Sequence, residues 1–127
     1  MAKPLIGITP NVRDTKNRGT EHVVLSHYVA MIAEAGAIPL IVPAVPTVAE
    51  AREVLARLDG LLMTGGKDIE AERYGQETRD RERLAHPDRV ASDFAYAAAT
   101  LELERPTLGV CLGTQVLNVA QSRRCRL

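Results

Sequence analysis

Short apolar runs alternate with segments of helical period from the first residues onward. Residues 4–9 (Pro-Leu-Ile-Gly-Ile-Thr) are apolar and closed by Pro10, the pattern of a buried strand. Residues 11–19 are polar and basic and read as a loop. Leu25, Tyr28, Val29, Ile32 and Ala35 then recur on one face at helical spacing, and Gly36 stands where a helix stops in a left-handed residue. Residues 38–42 form a second apolar run, with Pro39 near its start and Pro43 at its end. Thr47-Val-Ala-Glu50 has the form of a capping box, and Ala51, Val54, Leu55 and Leu58 follow on one stripe until Asp59-Gly60. Residues 60–64 predict a third strand.

From Gly65 to about Arg89 the periodicity disappears and charges of both signs crowd together, which predicts a long surface excursion of the kind that is more often functional than filler. Helical period returns over residues 91–104 through Phe94, Ala97, Ala98 and Leu101, and Arg105-Pro106 ends it. Residues 107–110 predict a fourth strand, and Val116, Leu117 and Ala120 share one side of a helix beginning just after Cys111. Parallel neighbours need crossovers of this length, so the order predicts an α/β fold with a doubly wound, mostly parallel sheet and helices on both faces.

Composition narrows the function classes. A chain of 127 residues with 46% hydrophobic and 25% charged residues is one globular domain. Sixteen Lys+Arg balance sixteen Asp+Glu, so no net field draws in nucleic acid or an acidic membrane. Tryptophan is absent, and Phe94, Tyr28, Tyr74 and Tyr96 are too scattered for a base-stacking platform. The first residues lack the pattern of a signal peptide, and no apolar stretch approaches about 20 residues, so the expected location is cytoplasmic. In a reducing compartment Cys111 and Cys125 read as separate thiols.

Ligands of a doubly wound sheet gather at the carboxyl ends of its strands, and two segments lie on such ends. Thr64-Gly-Gly-Lys-Asp68 follows the third strand; its glycines either bring backbone N–H groups to a developing negative charge or simply make a tight turn. It is not a Walker A loop. Gly109-Val-Cys-Leu-Gly-Thr-Gln115 places a cysteine between strand and helix with a glycine two residues to either side. A nucleophile on a sharp strand-to-helix turn needs small neighbours, the helix N-terminus lowers its pKa, and the next N–H is available to an oxyanion. A buried structural thiol with closely packed glycines fits the same spacing.

The second segment, continued by Val-Leu-Asn118-Val-Ala, resembles the nucleophile region of class I glutamine amidotransferases. Ile6-Gly-Ile-Thr-Pro10, Glu34-Ala-Gly-Ala-Ile-Pro39, Leu58-Asp-Gly-Leu-Leu-Met-Thr-Gly-Gly-Lys-Asp68 and Tyr74-Gly75 are similar, more narrowly, to its γ-glutamyl hydrolase branch, the peptidase C26 group. The resemblance covers residues 4–120 and implies a flavodoxin-like sheet. It implies Cys111 as nucleophile, the backbone of Leu112 with Gly65 or Gly66 as oxyanion hole, and Gln115 as a residue holding the γ-glutamyl moiety. The implied reaction is thiolate attack on a γ-glutamyl amide and hydrolysis of the resulting thioester, with a small-molecule substrate and neither cofactor nor metal.

After Ala120 the family pattern continues with a glycine-rich turn, whereas this chain reads Gln121-Ser-Arg-Arg-Cys-Arg-Leu127. The expectation is therefore the N-terminal part of such a domain over residues 1–120, C-terminally truncated, followed by a divergent basic tail at 121–127. The family's histidine and glutamate would fall beyond it, and the exposed sheet edge would favour self-association. His22 and His27 are expected near the first helix facing solvent, and His86 in the charged loop, none of them replacing the lost base. Asp68 and Asp93 read as turn and helix-entry residues, the run 79–83 as a solvated face, and Arg13 and Lys67 as weak candidates for a substrate carboxylate. A glutaminase module serving a synthetase, and a non-catalytic fragment acting in binding or assembly, are the alternative functions.

Overall fold

A computed structural model describes residues 2–125. Strand β1 (Leu5–Ile8) lies between β4 (Ile38–Ile41) and β5 (Gly60–Met63), and β6 (Thr107–Gly109) pairs with the far side of β5. Every pairing in this four-stranded sheet is parallel, in the order β4-β1-β5-β6. The helices are α1 (Ser26–Glu34), α2 (Val48–Leu55), α3 (Pro87–Leu103) and α4 (Leu112–Cys125). This is the expected α/β fold.

The local signals act as physical chemistry requires. Thr47 Oγ1 accepts from the Glu50 N–H at 3.2 Å and starts α2. Alternation along β5 sends Leu61 and Met63 to one face, where they join a core with Ala51 and Leu55 of α2, Ala95 and Ala99 of α3, and Leu112 and Val116 of α4. Alanines at the α2–α3 contact allow those helices to pack closely. Helix α1 packs against β4 and β1 and buries no residue completely, and Ile38 and Ile41 on one outer strand and Leu108 on the other stay largely exposed.

Three local readings are corrected. Residues 11–19 are not simply a loop: β2 (Asn11–Asp14) and β3 (Thr20–Val23) form an antiparallel hairpin beside the main sheet. Val12 points into the core, Arg13 faces and pairs with Glu21, and Gly19 at φ 79° closes the turn as Thr15 N–H donates to its carbonyl at 2.8 Å. A single buried side chain is too weak a period-2 signal to separate this strand from a polar loop. Helix α3 starts four residues before the expected 91, because His86 Nδ1 accepts from the Asp88 N–H at 3.1 Å and Pro87 occupies its first position. The excursion between β5 and α3 carries two short 3₁₀ turns, Ala71–Tyr74 and Arg81–Arg83, and Ile69, Ala71 and Ala85 anchor it in the core. Of the basic tail, residues 126–127 lie outside the described residues; α4 continues through 125.

Candidate active site

The strand order reverses at β1, and the carboxyl ends of β1, β5 and β6 converge there on a cavity of about 720 Å³. Its walls include Asn11 and Arg13 of the hairpin, Tyr28 of α1, Thr64, Gly65 and Gly66 after β5, and Cys111.

Cys111 is exposed and bridges β6 and α4 with φ +47°, a left-handed conformation that costs a β-carbon-bearing residue on the order of 1–2 kcal/mol. Both flanking glycines are required by contact. A Cβ on Gly113 would stand 2.3 Å from the carbonyl oxygen of Met63, and one on Gly109 would stand 2.6 Å from the amide nitrogen of Thr114. The first turn of α4 thus lies directly on β5, and Val110 N–H donates to that same Met63 oxygen at 2.9 Å. Leu112, the first residue of the helix, is buried, and its N–H precedes any intrahelical acceptor.

The Gly-Gly turn abuts this elbow: a Cβ on Gly65 would lie 3.7 Å from Cys111 Cβ. The N–H of Gly65 donates to Tyr28 Oη at 3.0 Å, while Gly66 N–H has no hydrogen-bond partner among the described residues. Gln115 sits one turn into α4, its N–H donating to the Cys111 carbonyl at 3.1 Å. Its side chain opens on a neighbouring cavity of about 420 Å³ with Asp68, Ile69, Tyr74 and Asn118, not on the one beside Cys111. Cysteine, Gly-Gly turn and Leu112 are therefore brought together, and Gln115 stands next door. Lys67 is exposed and outside the Cys111 cavity.

None of the three histidines lines the cavity. His22 belongs to β3 and accepts from the Ala44 N–H at 3.3 Å; His27 packs on Tyr28 with ring centroids 4.4 Å apart. His86 is spoken for on both nitrogens, capping α3 through Nδ1 and donating through Nε2 to Asp14 at 3.1 Å.

Beneath the Gly-Gly turn lies a polar network absent from the sequence reading. Arg89, 1% exposed, donates through Nη2 to the Thr64 carbonyl at 2.8 Å and Thr64 Oγ1 at 2.9 Å. Its Nη1 donates to the Gly65 carbonyl at 2.9 Å and to Asn11 Oδ1 at 3.4 Å, and its Nε to Asp93 at 3.3 Å. Thr64 Oγ1 in turn donates to the Thr9 carbonyl at 2.9 Å. The expectation for Asp93 is corrected: it is no helix-entry residue but a fully buried partner of Arg89, four residues on. The i, i+4 pairing of opposite charges on the apolar stripe of α3 was the available signal.

Burial pushes the Asp93 carboxyl up to about 6, against the opposing pull of Arg89, and its Oδ1 has no hydrogen-bond partner. A carboxyl whose pKa rises on folding binds its proton more tightly in the folded chain. Its stabilisation is thus complete below the ordinary value of 3.8 and lost as pH rises through about 6. Glu72, held near 2 chiefly by the Thr78 hydroxyl, acts with opposite sign below 4.5 and leaves that window to Asp93. Urea unfolding between pH 4.5 and 7 is expected to show stability falling by about 2 kcal/mol, and Asp93→Asn to abolish the slope. An equal slope in both proteins would assign it elsewhere.

The fold and the elbow define a protein of the class I glutamine amidotransferase-like type. The family model for Peptidase C26 matches residues 4–123, and the chain belongs to that family. It is 33% identical over 124 residues to "Putative glutamine amidotransferase Rv2859c" of Mycobacterium tuberculosis, covering 94% of this chain and 40% of that protein. It is 29% identical over 123 residues to "Putative glutamine amidotransferase-like protein RP404" of Rickettsia prowazekii, covering 92% and 43%. The chain thus spans about two-fifths of the length of these curated relatives. Among the described residues no helix is long and apolar enough to cross a membrane.

Proposed function

We propose that the site is built for amide hydrolysis by a cysteine nucleophile acting on γ-glutamyl amides. The observation that carries this reading is the elbow: Cys111 in a left-handed conformation, exposed to a cavity, between two glycines that a Cβ would drive into backbone. A structural thiol needs neither the exposure nor the conformation. The thiolate attacks the γ-carbonyl carbon, the carbonyl π pair moves onto oxygen, and the amine leaves with a proton, giving a glutamyl thioester that water then cleaves. Leu112 and Gly66 supply the N–H groups for the oxyanion. Gly65 is the weaker candidate because its N–H is already spent on Tyr28. Gln115, on the neighbouring cavity, would hold the glutamyl end of a substrate long enough to span both depressions.

A chloromethyl ketone carrying an intact α-amino, α-carboxylate glutamyl end tests the reading by peptide mass mapping. Cys111 is expected to be alkylated well ahead of Cys125, with protection by γ-glutamyl amides. Equal labelling of the two thiols in the folded chain would remove the case for an organised nucleophile. The names of the relatives, each beginning "Putative glutamine amidotransferase", favour glutamine itself as the amide, in a module that passes ammonia onward. Protection by glutamine but not by N-substituted γ-glutamyl amides would select that version.

A further inference from the structure

Arg89 is buried beneath the Gly-Gly turn, and its hydrogen bonds account for every proton it has. A guanidinium carries five N–H bonds: one on Nε and two on each terminal nitrogen. The Nε proton goes to Asp93, the Nη1 pair to the Gly65 carbonyl and Asn11, and the Nη2 pair to the Thr64 carbonyl and hydroxyl. No donor remains for a substrate carboxylate, although Arg89 borders the cavity. Two of the five protons are spent on consecutive carbonyls of the turn beside Cys111.

Those two bonds set the direction of the N–H groups. No peptide bond here is cis, and in a trans peptide the N–H of one residue points opposite to the carbonyl of the residue before it. Holding the Thr64 carbonyl inward turns the Gly65 N–H outward, where it meets Tyr28 Oη. Holding the Gly65 carbonyl inward turns the Gly66 N–H away from Arg89, and that is the N–H without a partner. The glycine at 66 is needed for the same contact, because a Cβ there would stand 2.2 Å from Arg89 Nη1. We infer that Arg89, through its grip on the Thr64 and Gly65 carbonyls, is the positioning residue that aims the Gly66 N–H at the carbonyl oxygen of an acyl group on Cys111. It acts through the turn and touches no reacting atom. Asp93 and Asn11 fix the guanidinium from its remaining edges.

The inference rests on Cys111 being the nucleophile but not on the γ-glutamyl specificity, so a minimal acyl donor tests it. With 4-nitrophenyl acetate the sulfur forms a bond to the acetyl carbon, the π pair collects on oxygen, and collapse breaks the bond between the acetyl carbon and the phenolic oxygen. The pair leaves on 4-nitrophenolate, and no general acid is needed. With iodoacetamide the sulfur displaces iodide at a CH₂ group, and no oxyanion forms. Both rates are measured at Cys111 in the full chain carrying Cys125→Ser, by mass mapping.

Arg89→Lys keeps the charge but has three donors and no planar fork. It is expected to slow acetylation about 10- to 100-fold while changing alkylation less than about twofold, the scale of a misplaced or missing oxyanion donor. Gly66→Ala attacks the same contact from the turn side at an exposed position, so it reports even if Arg89→Lys does not fold. The acetylation-to-alkylation ratio is expected to fall in both variants and in the double variant no further than in the worse single one. A purely structural role would slow both reagents together. An unchanged ratio in the folded variants overturns the inference and leaves the nucleophile standing. No acetylation of Cys111 in the parent overturns both.

Discussion

Alanine at position 113 is expected to cost about 3 kcal/mol or more and to disable the thiol. The added Cβ would stand 2.3 Å from the Met63 carbonyl oxygen, 2.8 Å from its carbonyl carbon and 2.8 Å from its Cβ. These atoms belong to β5, an interior strand paired on both sides, so the obstacle is backbone that cannot swing away. The helix must instead lift off the sheet, which withdraws Leu112 and Val116 from the core. Inserting a methyl group into packed surroundings costs about 1–3 kcal/mol where side chains can move, and this site lies at or above that range. Lifting α4 also moves Cys111 and the Leu112 N–H away from the Gly-Gly turn. Chemical unfolding should therefore show a large fall in midpoint, and any folded Gly113→Ala protein should alkylate slowly with the glutamyl chloromethyl ketone. An unaltered midpoint with unaltered labelling would mean that the first turn of α4 does not rest on Met63.

The second large effect is expected in turnover. Mixed with a γ-glutamyl amide, a chain of these 127 residues is expected to load at most one acyl group on Cys111 and to release no product at steady state above background. The helix N-terminus and the proposed oxyanion N–H groups would favour the attack, but expelling an amine needs a proton, and clearing the thioester needs an activated water. Each histidine is engaged elsewhere: His22 at Ala44, His27 against Tyr28, and His86 between Asp14 and the start of α3. Asp93 has a raised pKa, yet it is sealed below the turn with Arg89 and cannot reach the cavity. Removing members of a catalytic triad leaves roughly a 10³- to 10⁴-fold acceleration over water from binding and the oxyanion hole. Intact-mass and product assays separate the cases. Multiple, saturable turnover that disappears in Cys111→Ser would require one of these histidines to leave its present contacts, or a base from a second chain.

Much of this architecture follows from short-range pattern. Four apolar runs separated by helix-period segments specify the parallel strands, because each crossover is too long for a hairpin, although only β5 is buried along its whole length. Thr47 and Glu50 mark the start of α2 within three residues of each other. Gly109 and Gly113 around Cys111 mark by spacing either an elbow or a closely packed buried thiol, and the exposure of Cys111 and its φ of +47° decide for the elbow. What the tertiary structure decided involves partners far apart in the chain. Asn11 and Arg89 are 78 positions apart, and Tyr28 and Gly65 are 37. No local window can show that an arginine on a helix will be buried with all five donors spent, or that a tyrosine hydroxyl will occupy one of two adjacent glycine N–H groups. The opening of Gln115 onto a second cavity with Asp68, Ile69 and Tyr74 belongs to the same class, whereas the β2–β3 hairpin is local and was hidden by its single buried side chain. The chain's local propensities select its elements and the strand-to-helix turn that carries Cys111; burial and long-range hydrogen bonding select which polar groups stay free.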